Sequence, residues 1–121
     1  MTTRARAADE MVALLDSPFL RALTEPARLE VLKALLLHGP ADVSAIAARV
    51  PQDRSVVSRH LKSLEEVGVV RATRGAEDAR QRVYAIDASG FITTLEGILG
   101  RVRALAPVCC PPPSPPKRRR G

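Results

Sequence analysis

The chain has 121 residues, a net charge of +6, two cysteines, two Phe, one Tyr and no Trp. That length builds one domain with a modest core; so few aromatics leave Leu, Val and Ala to fill it, which favours helices, and they remove the stacking platforms that single-stranded nucleic acid needs. Lys117, Arg118, Arg119 and Arg120 are four of the 19 basic side chains, so the remainder nearly balances 13 acidic ones and any polyanion must be met by particular surfaces.

A first helix is expected over residues 6–15, with Met11, Leu14 and Leu15 toward one side. Ser17-Pro18 starts a second as cap and first-turn proline, and Glu25-Pro26 starts a third. Leu29, Leu32, Leu35 and Leu36 give that third helix a wide apolar face, and His38-Gly39-Pro40 ends it. Asp42 caps a short helix that places Val43, Ile46, Ala47 and Val50 on one side. Pro51-Gln52 lead into the next helix, which Asp53 caps and Gly68 stops. Two short helices joined by a tight turn form a helix-turn-helix.

The second of these helices is the most informative segment. Val57, Leu61 and Leu64 make its buried stripe, while the other side carries Arg54, Ser55, Ser58, Arg59 and Lys62, with no carboxylate before Glu65. A solvated helix face ordinarily mixes signs within two turns. This one offers cations and hydroxyls only, as suits a phosphate-lined groove with base edges at its floor. Residues 69–73 and 82–86 read as two strands around the polar loop 74–81, a hairpin in the position of a wing. Arg74, Arg80 and Arg82 either reach a minor groove or protect a sheet edge; Arg80 is assigned to DNA and Arg82 is left open. In the last helix Phe91, Leu95, Ile98, Val102 and Leu105 alternate steps of four and three, and Ile92 and Leu99 widen the stripe. From Pro107 the chain is Pro-rich and then basic. The expected organisation is therefore a domain over residues 1–106 and a disordered tail over 107–121.

Leu23-Thr24-Glu25-Pro26-Ala27-Arg28-Leu29, Ser55-Val56-Val57-Ser58-Arg59-His60-Leu61 and Gly68-Val69-Val70, at their spacing, resemble the ArsR/SmtB family of winged-helix repressors over residues 17–86. The resemblance implies a mostly α fold with a small β-hairpin, a winged helix-turn-helix that forms a homodimer through its first and last helices. It also implies repression by occupying double-stranded operator DNA, with release by a metal, metalloid or oxidant in many members. The family's inducer sites do not carry over: Ala41-Asp42-Val43-Ser44-Ala45 holds no cysteine where a Cys-x-Cys pair would stand. The last helix has Asp87 and Glu96 but no histidine, which speaks against the zinc, nickel and cobalt sites of the family.

The candidate DNA-binding residues are Arg54, Ser55, Val56, Ser58, Arg59, His60, Lys62 and Arg80, and the candidate dimer residues are Met11, Phe91, Leu95, Ile98 and Val102. His60 lies between the exposed and buried sides of its helix, a structural residue with a phosphate contact as its functional alternative. Arg28 reads first as a fold-fixing ion pair. Glu65-Glu66 and Glu77-Asp78 are adjacent pairs that need not converge, and no nucleophile triad or phosphate loop appears, so an enzyme is not expected. Cys109 and Cys110 are vicinal thiols, either a sensor site for As(III), Sb(III), Hg(II) or an oxidant, or an idle pair in a tail. No cofactor is otherwise required. No apolar run approaches a membrane span, residues 1–9 hold no signal region, and two adjacent cysteines build no secreted framework, so a cytoplasmic protein without a membrane partner is expected. Two rivals remain: a winged-helix module that binds a protein, and a nonspecific nucleic-acid binder driven by the basic tail.

Overall fold

A computed structural model describes residues 3–109. In chain order they form helices α1 (Thr3–Leu15), α2 (Pro18–Ala22), α3 (Pro26–His38), α4 (Val43–Ala47) and α5 (Arg54–Glu66), strands β1 (Val70–Arg74) and β2 (Arg82–Ile86), and helix α6 (Ala88–Cys109). This is a mostly helical fold with one antiparallel hairpin, a winged helix-turn-helix. The helix starts follow the capping residues. Ser17 accepts from the Leu20 N–H at 3.3 Å, Asp42 from Ala45 at 2.8 Å and Asp53 from Val56 at 3.0 Å. Gly39 and Gly68 end α3 and α5 at φ +81° and +79°, a backbone region that side chains with a Cβ rarely adopt.

The core gathers Phe19, Val31, Leu35, Ile46, Val57, Leu61, Leu64, Val69, Val70 and Tyr84. Val57, Leu61 and Leu64 of α5 have no exposure, and each such side chain contributes about 1.5–3 kcal/mol through burial. Helix α5 is thus held by one stripe and its opposite side is left outside. The hairpin pairs Val70 with Ile86 and Arg74 with Arg82. Ala41 adds a bridge to Tyr84, its N–H donating to the Tyr84 carbonyl at 3.0 Å and its carbonyl accepting from the Tyr84 N–H at 2.8 Å, which ties the α3–α4 connection to the sheet.

Several expectations need correction. The first helix begins at Thr3, three residues earlier, and the first strand at Val70, because the Val69 N–H donates to the Leu64 carbonyl at 2.9 Å and closes the α5 terminus. The buried face of α3 is Val31, Ala34 and Leu35; Leu29 and Leu36 point outward. Its sequence is apolar nearly all round, so spacing alone did not select a face. Phe91 and Ile98, both half-buried, pack against the chain's own core, the Phe91 ring 5.7 Å from that of Phe19, so part of the expected dimer stripe also serves the protomer's own packing. Finally, α6 runs through Pro107 to Cys109, three residues beyond the expected boundary: a proline in a last turn removes one hydrogen bond without stopping the helix. The remainder of the expected tail, including Cys110 and residues 117–120, lies outside the described residues.

Candidate nucleic-acid interface

Helix α5 presents Arg54, Ser55, Ser58, Arg59 and Lys62 on its exposed side, with Val56 half-buried at their edge. Among the described residues no carboxylate lies within ion-pair range of Arg54, Arg59, Lys62 or Arg80. Ser55 donates its hydroxyl proton to Asp53 at 2.8 Å, so it offers outward its lone pairs while that bond stands. The Val56 N–H and the Ser55 hydroxyl together hold the Asp53 carboxyl below the usual range, which keeps the cap ionised.

Two contacts distant in sequence fix the wing to the helix-turn-helix, one to α5 and one to the cap of α4. Arg82 reaches Glu65 of α5 at 3.2 Å, and its guanidinium lies 5.8 Å from the Tyr84 ring centroid. Gln81 donates to Asp42 at 2.7 Å; the Ala45 N–H and then this bond lower the Asp42 pKa. Arg82 is therefore a structural tie, and Arg80 stands exposed at the turn with its own N–H donating to Asp78 at 2.9 Å. These ties form a cleft of about 280 Å³ where Ser44, Arg54, Ser58, Arg80 and Gln81 converge. The sequence pointed to Arg54, Ser58 and Arg80 separately, and the fold brings them to one opening. It missed Gln81 and Ala41, whose partners lie too far along the chain for any local signal.

His60 departs from the expected face. It is 7% exposed, turned from the donor side toward α3, with Nε2 3.9 Å from the Glu25 carboxylate. Burial lowers its pKa first; Glu25 opposes that shift, and Arg28 and Arg59 add to it. Arg28 takes the structural role, pairing with Glu25 at 3.1 Å and donating to the Ala22 carbonyl at 3.2 Å.

The candidate dimer surface lies on α1 and α6, which pack together and share the Glu10–Arg101 ion pair at 3.7 Å. Although α6 is 22 residues long, none of its residues is buried. Ile92, Leu95 and Leu99 form its exposed stripe, and Val12 and Leu15 of α1 are exposed as well; Met11 and Val102 are half-buried. Cys109 ends α6, half-buried, its thiol 3.4 Å from the Leu105 carbonyl. Among the described residues no three His, Cys, Asp or Glu side chains are grouped to hold a metal ion, and no helix is long and apolar enough to cross a membrane.

A family model described as a bacterial regulatory protein of the arsR family matches residues 25–72, from the start of α3 into the wing. Among solved structures, an ArsR family transcriptional regulator is 30% identical, covering 76% of this chain and 89% of its own at a TM-score of 0.56. A possible transcriptional regulator for arsenical resistance is 31% identical over 69% of this chain and 82% of its own, with a TM-score of 0.55. The YusO protein of Bacillus subtilis is 27% identical over 84% of this chain and 70% of its own, with a TM-score of 0.54. Comparison with curated protein sequences gives no match.

Proposed function

The chain belongs to the ArsR family of bacterial transcriptional regulators, and we propose that it acts as a homodimeric repressor occupying a pseudo-palindromic operator. One observation carries this reading: the exposed side of α5 is all cation and hydroxyl, and a basic wing is clamped beside it. Arg54, Ser55, Val56, Ser58 and Arg59 enter the major groove, and Lys62 and Arg80 hold phosphates. The dimer forms through α1 and α6, where the apolar stripe of Ile92, Leu95 and Leu99 stays 39–52% exposed among the described residues. A second two-fold copy would cover it and set the spacing of two half-sites. Cys109 and Cys110 take a thiophilic ion such as As(III), Sb(III) or Hg(II) as inducer. The protein works in the cytoplasm, on DNA rather than as an enzyme.

The test is selection of duplexes from a random pool, followed by fluorescence anisotropy with the full chain and with a chain ending at Cys109. A two-fold consensus retained by the shortened chain supports the reading. Binding without sequence preference, lost with the tail, replaces it by a nonspecific polyanion binder. No duplex binding at all favours a protein-interaction module.

A further inference from the structure

On the side of α5 away from the wing, a cleft of about 380 Å³ separates that helix from the start of α3. Glu25, Ala27, Arg28, Arg59, His60 and Ser63 line it. Two independent features make it a place for negative charge. The first is the α3 N-terminus. Glu25 gives it no side-chain cap, and Leu29 is its first residue whose N–H finds a backbone acceptor, the Glu25 carbonyl at 3.1 Å. The Ala27 and Arg28 N–H groups are left without one, at the positive end of a 13-residue helix. The second is His60. Although more than nine-tenths buried, it makes no hydrogen bond to a described residue through either ring nitrogen, and Glu25 at 3.9 Å is beyond that range. The His60 ring nitrogens are not enclosed, and His60 lines the cleft; Arg28, which lines the same cleft, has its Nε buried without a hydrogen-bond partner among the described residues.

The charges agree. Arg28 holds the Glu25 carboxylate at 3.1 Å and offsets it, which leaves Arg59 as the cation of the cleft without a carboxylate in ion-pair range among the described residues. We infer that this cleft binds one oxyanion, a carboxylate or phosphoryl group, between the α3 N-terminus, Arg59, Ser63 and His60. The chemistry is shared by two sources: a free small anion, and a backbone phosphate of duplex DNA lying along the flank of α5. Only the second rests on the proposed function. An oxyanion against His60 also favours the imidazolium that burial now disfavours, with Glu25 acting in the same direction and Arg28 and Arg59 against it. Binding therefore takes up a proton.

Sulfate and acetate, titrated into the full chain with chloride holding ionic strength constant, are the probes, and the ring protons of His60 are the readout, assigned with a His38→Gln variant. Ala27→Asp places a carboxylate in the first turn of α3, where it suits the helix and fills the anion's seat. Ser63→Asp does so from the opposite wall, should the first variant fold poorly. A saturable shift, tighter at about pH 6 than at about pH 8 and weakened about tenfold or more in the variants, supports the site with a free anion as ligand. If free anions leave His60 unmoved but the folded variants reduce the slope of log DNA affinity against log salt by about 0.9 on every duplex, the ligand is a DNA phosphate. If His60 is silent and the slope is that of wild type, the inference is overturned. Should the chain bind no DNA, the functional reading fails while the anion titration still decides the cleft.

Discussion

Arg59 and His60 are neighbours with opposite fates. Arg59 points outward one turn after Ser55 and meets no carboxylate within ion-pair range among the described residues. Its replacement, Arg59→Ala, is expected to weaken specific DNA binding by about 1–3 kcal/mol, the value of a good groove contact, measured by anisotropy on the selected duplex. Unchanged affinity in the folded variant would remove Arg59 from the interface. His60 points inward, and its burial shows in the pH dependence of stability. Its folded pKa is depressed, so the unfolded chain binds the proton more readily. Its effect is absent above the unfolded value of about 6.5, and stability is lost as pH falls from there toward the folded value. The Asp42 and Asp53 carboxyls are also depressed, but their contribution stands above about pH 4 and is lost only below it, so the two windows do not overlap. Urea midpoints between about pH 7 and about pH 5 should fall in wild type and stay nearly level in His60→Gln; equal slopes would place the titration elsewhere.

The amphipathic elements with a clear division were legible, and the ambiguous ones were not. Helix α5 separates three buried aliphatics from five exposed polar residues, so its cap, aliphatic stripe and outer face were legible, whereas His60, on the border between the two sides, is buried by what α3 places beside it. Helix α3 has leucine or valine on every side, and its buried face is decided by what α4, α5 and β2 present to it. Helix α6 shows the same difficulty at the candidate interface. Its heptad-like spacing identifies an apolar helix but does not divide the residues turned to the chain's own core, Phe91 and Ile98, from those left outside. The fold divides them, and the dimer test changes accordingly. Leu95→Glu with Leu99→Glu alters residues 39% and 46% exposed, so the protomer should keep its helical signal and thermal transition. Two carboxylates in an apolar seam would nevertheless be costly to bury, and the dimer should dissociate. Sedimentation showing an intact dimer in the folded variant would move the interface away from this stripe.

Across the whole molecule α6 joins the two regions that a regulator must couple. Its first turn lies against the end of the recognition helix: the Asp87 N–H donates to the Val69 carbonyl at 2.8 Å, and Asp87 accepts from Gly90 at 3.0 Å. A Cβ at Gly90 would stand 2.9 Å from the Gly68 carbonyl, so the approach there is close. Its last residue is Cys109, and an uninterrupted helix of 22 residues spans about 33 Å at 1.5 Å per residue. A change at the thiol end can thus tilt a rigid lever whose other end rests on the α5–β1 connection. Coupling also requires that the ion bind the two states of the protein differently. An ion shared between Cys109 and Cys110 meets that condition if it draws the ends of the two α6 helices of a dimer into a different arrangement. As(III) or Hg(II) should then lower operator affinity about tenfold or more, a coupling of about 1.4 kcal/mol. Cys109→Ser with Cys110→Ser should bind the operator as wild type does but ignore the ion, because serine hydroxyls are poor ligands for soft metals. Anisotropy titrations of both proteins with each ion decide it: a wild-type complex that persists at saturating ion, or a variant that responds equally, removes the thiols from regulation.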